Sequence, residues 1–162
     1  MNVNLIFFAI VPFILMCLIS IGMPFWRIRL MKEAGDKLLT FVRKPVKLQF
    51  FAIPAAYLLL ILSNLIDFGK LSFVIPYCAV LALFITIKES TLLPVNGLYE
   101  KLLINSTDVI KLENITGLLE ADAGTPTNVL KINTKQGTRS LTFDNSNEVE
   151  EVRKILNERI KK

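Results

Sequence analysis

The chain of 162 residues contains no histidine and only two cysteines. The lack of histidine excludes a Ser-His-Asp triad, a Cys-His pair and any histidine-ligated metal. Cys17 and Cys78 both lie inside long apolar runs, which is typical of neither a secreted disulfide framework nor a zinc motif. The sequence also lacks a Gly-x-x-x-x-Gly-Lys-Ser/Thr phosphate loop. We therefore expect a protein that is not an enzyme and that holds no metal or cofactor.

Charge is absent from three long stretches of the chain. Residues 3–23, 48–66 and 71–87 contain no Asp, Glu, Lys or Arg, and 52% of the whole chain is apolar. A helix needs about 20 apolar residues to cross the hydrocarbon core of a bilayer, which is about 30 Å thick. The sequence therefore predicts a membrane domain over residues 1–87 with three transmembrane helices, and a freely soluble enzyme is excluded as the default expectation.

The first apolar run lacks the features of a cleaved signal peptide. Residues 1–4 contain no Lys or Arg, and no Ala-x-Ala cleavage site follows the run. Pro24, Phe25 and Trp26 follow it instead, and tryptophan is enriched at the headgroup level of membranes. The run is thus predicted to remain as the first span.

Basic residues indicate the orientation of the spans. Segment 27–47 carries seven basic and two acidic residues, whereas residues 67–70 carry one of each sign. Because short cytoplasmic loops are enriched in Lys and Arg, segment 27–47 is predicted to lie in the cytoplasm. The N-terminus is then outside, and residues 88–162 are cytoplasmic in an integral protein of the cell membrane.

The basic segment itself has helical periodicity over residues 27–44. Its apolar positions recur at steps of three and four residues at Met31, Ala34, Leu38, Phe41 and Val42. The pattern predicts an amphipathic helix in the inner headgroup layer. Its charges serve either to set topology alone or to bind anionic lipid or a partner. The candidate contacts to anionic lipid are Trp26, Arg27, Arg29, Lys32, Arg43, Lys44 and Lys47.

Residues 88–162 are predicted to form a small α+β module. Strand candidates, separated by turn residues and by the small-residue loop 121–127, are 98–104, 109–113, 115–120, 128–134 and 139–143. The last two surround the turn Lys135-Gln-Gly137 and predict a β-hairpin. The module has no net charge and only two aromatic residues, Tyr99 and Phe143, which argues against nucleic-acid binding.

A helix is predicted to close the module. Asn145 is the expected N-cap, with Glu148 completing a capping box. One apolar stripe runs along this helix through Val149, Val152, Ile155, Leu156 and Ile160. The stripe is expected to pack on the apolar sheet face of Leu130, Ile132, Leu141 and Phe143.

Several short motifs together resemble a bacterial pleckstrin-homology-like (PH-like) domain. They are Asn96-Gly-Leu-Tyr-Glu, Asp108-Val-Ile-Lys-Leu-Glu, Val129-Leu-Lys-Ile-Asn, Ser140-Leu-Thr-Phe-Asp and the terminal helix. The whole layout also resembles the small three-span bacterial inner-membrane proteins of the YobD type. The resemblance implies a β-roll capped by the C-terminal helix and no enzymatic activity. The module is short for the seven strands of this fold, so either one or two strands are missing or residues 92–95 supply one.

Two hypotheses for function follow. In the first, a non-enzymatic inner-membrane protein presents a cytoplasmic PH-like module whose exposed sheet edge or loop 121–127 binds a protein partner. In the second, the chain is an accessory or immunity factor that acts within the membrane on a transporter. The second depends on Pro12, Pro54 and Pro76 inside the predicted spans and on pairs of small residues at four-residue spacing.

Overall fold

The computed structural model describes residues 9–43, 48–66, 69–119 and 126–160. These residues form an α+β structure with four α-helices and two antiparallel sheets. The helices are α1 (Val11–Ala34), α2 (Leu48–Leu65), α3 (Ile75–Leu92) and α4 (Ser146–Ile160). The strands are β1 (Lys37–Thr40), β2 (Gly97–Tyr99), β3 (Leu102–Asn105), β4 (Asp108–Lys111), β5 (Ile115–Leu118), β6 (Val129–Thr134) and β7 (Gly137–Thr142).

The chain divides into two compact units, each built from two separate segments. A helical unit comprises Met1–Arg29 and Pro45–Thr91, and a sheet unit comprises Leu30–Lys44 and Leu92–Lys162. This division differs from the predicted boundary between residues 87 and 88, because residues 30–44 belong with the C-terminal part of the chain.

The helical unit has the composition of a membrane domain. Val11–Ala34 and Leu71–Val95 are long and apolar enough to cross a membrane, while the apolar helix Phe51–Leu65 is shorter. Of the 23 large apolar side chains that are exposed among the described residues, 21 belong to this unit. Exposed apolar surface on this scale is unfavourable in water, whereas lipid accommodates it.

The helices begin and end at other residues than the sequence predicted. Helix α1 continues past the predicted end of its span, through Pro24 and on to Ala34, while residues 1–8 lie outside the described residues. Pro76 is the second residue of α3, where the helix needs no backbone N–H, so Pro76 does not interrupt this helix. Pro54 does lie inside α2.

The interior of the helical unit combines small and aliphatic side chains. Its buried cluster is Met16, Ala56, Leu60, Val80, Leu83 and Ile87. The hydroxyls of Ser20 on α1 and Tyr57 on α2 are hydrogen-bonded at 3.0 Å. The predicted pairs of small residues at four-residue spacing are Ala52 with Ala56 and Cys78 with Ala82. Ala56 is buried, whereas Cys78 and Ala82 are exposed.

The sheet unit contains one sheet in the order β1-β2-β3-β4 and another in the order β5-β6-β7. The predicted hairpin is confirmed by β6 and β7, whose register runs from Val129 opposite Thr142 to Thr134 opposite Gly137. The prediction of a single strand over residues 98–104 is wrong. The chain reverses there at Glu100, so β2 and β3 pair with each other as antiparallel neighbours.

The predicted amphipathic helix over residues 27–44 is helical only as far as Ala34 and is wrong for residues 35–43, while residue 44 lies outside the described residues. Helix α1 ends at Ala34 because Gly35 adopts a left-handed φ of 77°, a conformation that glycine adopts readily. The chain then forms β1, which pairs with β2 with Leu39 opposite Leu98. Strand geometry places Leu39 and Phe41 against the core of the sheet unit, and Phe41 is only 5% exposed. Residues 92–95, the candidate for a further strand, do not form one, because Leu93–Val95 is a 3₁₀-helix.

The predicted packing of the C-terminal helix is confirmed. Val149, Val152 and Leu156 are buried, and Ile155 is partly buried, in one core with the predicted sheet residues Leu130, Ile132, Leu141 and Phe143. Asn145 caps the helix, since its Oδ1 accepts a hydrogen bond from Asn147 N–H at 3.0 Å. Glu148, predicted to complete a capping box, accepts a hydrogen bond from Val42 N–H at 3.1 Å. The side chain of Ile160 lies outside the described residues.

Candidate functional site

The turn between β2 and β3 is held by backbone hydrogen bonds from several elements. Glu100 N–H donates to Asp36 O and Lys101 N–H donates to Ala34 O, both at 3.0 Å. Leu112 N–H in turn donates to Lys101 O at 2.9 Å. The end of α1, the start of β1 and the end of β4 therefore meet at this two-residue turn.

Helix α4 contacts the same turn, because Arg159 Nη1 donates to Glu100 O at 2.5 Å. Glu100 also lies over Gly35. A Cβ atom at Gly35 would come within 2.5 Å of Glu100 Oε2. The side chain of Glu100 therefore needs the space that glycine leaves at the end of α1.

An open cleft of about 570 Å³, here called the charged cleft, lies beside this turn. Its charged lining residues are Lys32, Glu33, Glu100, Lys101, Lys111 and Glu113. Three parts of the sheet unit thus each contribute one lysine and one glutamate. Lys111 Nζ lies 3.6 Å from Glu113 Oε1, and both side chains are well exposed. The cleft is rich in charge of both signs and has no net charge.

Metal binding finds no support in the described residues. Across 9–43, 48–66, 69–119 and 126–160, no three Cys, Asp or Glu side chains are grouped closely enough to hold a metal ion. The charged cleft has three glutamates and three lysines among its lining residues. These side chains can form ion pairs with each other or with a charged ligand.

The predicted lipid contacts occupy two different places. Trp26, Arg27, Arg29 and Lys32 lie on α1, and the last two are exposed. Lys44 and Lys47 lie outside the described residues.

Arg43, the remaining predicted lipid contact, makes bonds inside the sheet unit. Its Nη2 donates to Thr142 O at 3.0 Å, and its Nε lies 3.8 Å from Asp144 Oδ1. Its side chain is only 21% exposed. Arg43 therefore connects the segment after β1 to the end of β7.

Strand β7 is an edge strand with β6 as its neighbour in the sheet. Thr142 O points away from β6, since it accepts hydrogen bonds from Arg43 and from Asn105 Nδ2. Backbone groups alternate in direction along a strand, so those of Thr138 and Ser140 also point outward. Both residues are exposed. Among the residues that the structure describes, the edge is closed at Thr142, and no strand pairs with it at Thr138 and Ser140.

Lys37 and Tyr99 form a contact between β1 and β2 that the sequence did not indicate. Lys37 Nζ lies 5.5 Å from the centroid of the Tyr99 ring, and the Tyr99 hydroxyl donates to Val95 O at 2.7 Å. Burial raises the pKa of Tyr99 and lowers the pKa of Lys37. The contact joins two residues that are paired across β1 and β2 and lie far apart in sequence.

Comparison of the chain with protein-family models, with curated proteins and with solved structures gave no match. Of loop 121–127, the other predicted partner site, residues 121–125 lie outside the described residues. The charged cleft and the open edge of β7 are therefore interpreted from their own geometry.

Proposed function

We propose that the chain is a non-enzymatic integral protein of the bacterial inner membrane that presents a cytoplasmic module to a protein partner. The concentration of exposed apolar side chains in the helical unit supports membrane insertion. The basic segment 27–47 supports an orientation with the N-terminus outside and the sheet unit in the cytoplasm. In this proposal all three of α1, α2 and α3 cross the membrane.

The sheet unit is, in this proposal, a PH-like module. Four consecutive antiparallel strands are followed by three more and then by a helix that packs on both the β5 and β6 strands. This order of elements supports the proposal of a β-roll capped by a helix, which the sequence resemblance implies. Helices α2 and α3 are inserted in the chain between β1 and β2. The chain therefore passes between the membrane domain and the module three times: within α1, between β1 and α2, and between α3 and β2.

The open edge of β7 is the observation that supports partner binding. An exposed edge strand offers unpaired N–H and C=O groups, and an extended segment of another protein can add to it as a further strand. The outward groups of Thr138 and Ser140 would pair with such a segment. The partner is therefore expected to contribute an extended peptide segment, with its main chain supplying most of the hydrogen bonds.

Substitution of Ser140 tests this proposal. Ser140→Pro removes an outward-facing N–H without removing a hydrogen bond to β6, whereas the matched control Ser140→Ala keeps that N–H. Tagged full-length protein is captured from its own membranes in mild detergent, and bound proteins are identified by mass spectrometry. We expect one stoichiometric partner that Ser140→Ala retains and Ser140→Pro loses.

Amide hydrogen exchange on the same samples distinguishes lost binding from lost folding. The β6 amides should stay protected in Ser140→Pro, and the partner should protect Thr138 and Ser140 in the wild type. A partner that both variants retain equally would contradict binding at this edge.

A further inference from the structure

The charged cleft has a feature that partner binding at β7 does not use. Its six charged residues come as three neighbouring pairs of opposite sign, one pair from each of three chain segments. A simple anion would meet three glutamates there, and a simple cation would meet three lysines. The arrangement favours a ligand that carries both signs of charge a few ångströms apart.

Hydrogen bonds from several elements hold the backbone at the floor of the cleft. The Glu100–Lys101 turn is bonded through its backbone to Ala34, Asp36 and Leu112, and through Glu100 O to Arg159. The backbone that carries two of the six charges is therefore held on several sides. The volume of about 570 Å³ lies within the range of roughly 300–1,000 Å³ that small-molecule sites occupy.

The place of the cleft along the chain indicates the source of the ligand. Lys32 and Glu33 lie in the last turn of α1, a helix long and apolar enough to cross a membrane. They follow Trp26 in the same helix by six and seven residues, and tryptophan marks the headgroup level. A zwitterionic lipid headgroup is the doubly charged group that is abundant at the end of a membrane-spanning helix.

We propose that the charged cleft binds a phosphate ester that bears a primary ammonium group, as in the headgroup of phosphatidylethanolamine. The phosphate is bound by Lys101 with its neighbouring lysines, and the ammonium is bound by Glu100 with its neighbouring glutamates. This inference rests on the proposed insertion of α1 in the membrane, but the cleft is separate from the β7 edge and does not depend on the proposed partner.

Titration of the full-length protein in detergent with short-chain lipids tests the proposal. Dihexanoyl phosphatidylethanolamine is compared with dihexanoyl phosphatidylglycerol, which has the phosphate but no ammonium. Binding is followed by the amide chemical shifts of Glu100 and Lys101 in ¹⁵N-labelled protein. We expect saturable shifts with the ethanolamine lipid at a dissociation constant at least about fivefold lower than with the glycerol lipid. Equal affinity for the two lipids would overturn the proposal.

Two exposed substitutions and one control locate the binding. Lys101→Gln and Glu100→Gln should each weaken binding of the ethanolamine lipid by about fivefold or more, because each removes one of the opposed charges. Lys135→Gln, on the exposed β6–β7 turn, should leave the affinity unchanged. Wild-type affinity in both cleft variants would overturn the proposal.

Soluble phosphoethanolamine separates the two possible sources of this chemistry. Competition between phosphoethanolamine and the lipid at the same amides supports a headgroup site. Binding of phosphoethanolamine without any binding of the lipid would overturn the lipid source.

Discussion

Gly97→Ala is the substitution that most sharply tests the pairing of β1 with β2. A Cβ atom at residue 97 would lie 2.4 Å from Leu39 O and 2.6 Å from Lys37 Cε. Cβ contacts under 3.0 Å are essentially never found, and Leu39 O belongs to the backbone, so β1 must move by at least 0.6 Å. Overpacking of this kind costs about 1–3 kcal/mol. We therefore expect β1 to separate from β2 more often, while the rest of the sheet unit stays folded.

Hydrogen exchange measured by mass spectrometry on the full-length protein in detergent follows this separation directly. A local loss of about 1–3 kcal/mol raises the exchange rate of the β1 amides roughly 5-fold to 150-fold. Gly117→Ala is the matched control, because a Cβ atom there meets nothing within 4 Å. Wild-type protection of residues 37–40 in Gly97→Ala would refute the reasoning.

Three further substitutions test other contacts. Phe41 is 5% exposed and packs edge-to-face on Phe143, with the two ring centroids 5.1 Å apart. Phe41→Ala should therefore lower the free energy of unfolding of the sheet unit, measured by chemical denaturation, by about 3–5 kcal/mol. The Val42 side chain is 70% exposed, so Val42→Ala should change this free energy of unfolding by less than about 0.5 kcal/mol. Equal losses in Phe41→Ala and Val42→Ala would contradict the packing of Phe41 in the core. Tyr57→Phe should weaken helix association by about 0.6 kcal/mol in steric trapping, and it should have no effect in a Ser20→Ala background. Burial raises the pKa of Tyr99 above its ordinary value of 10.0. The contribution of the neutral Tyr99 side chain to folding stability is therefore fully present below pH 10, and it is lost as the pH rises through the raised pKa. Tyrosinate absorbance at 295 nm, compared with Tyr99→Phe, should show Tyr99 ionising at higher pH in the folded protein than in the unfolded one.

Local patterns predicted the parts of the sheet unit that depend on residues close in sequence. The β6–β7 hairpin and the capped helix α4 followed from alternation, from a turn containing Gly137 and from Asn145 as N-cap. In both cases neighbouring residues supply the hydrogen bonds, so a short window of sequence contains the information.

Residues 35–43 could not be predicted in this way because their structure depends on distant partners. Met31, Ala34, Leu38, Phe41 and Val42 match helical spacing, yet Leu39 and Phe41 equally match strand spacing. The choice between the two depends on Leu98 and Tyr99, which lie on the far side of α2 and α3 in sequence. Gly35 before the strand was the local signal for the end of the helix.

The charged cleft was missed for the same reason. Its three lysine–glutamate pairs come from separate segments, and each pair alone has the pattern of a solvated surface. The hydrogen bonds of the Glu100–Lys101 turn, together with the pairing of β1 with β2 and of β3 with β4, bring the segments together. Of the predicted lipid contacts, Lys32 is the one that lines the charged cleft.

Disulfide cross-linking in intact membranes tests most directly whether the strand before α2 and the strands after α3 fold as one module. Lys37→Cys and Tyr99→Cys are introduced at residues paired across β1 and β2, with Cys17 and Cys78 replaced by alanine. Mild oxidation should give an intramolecular cross-link, because the Cα atoms of paired strand residues lie about 4.5–5.5 Å apart, within disulfide range. The control pair of Lys37→Cys with Lys135→Cys, on the β6–β7 turn, should give none. A cross-link that fails to form between residues 37 and 99, or that forms equally in the control, would contradict the account.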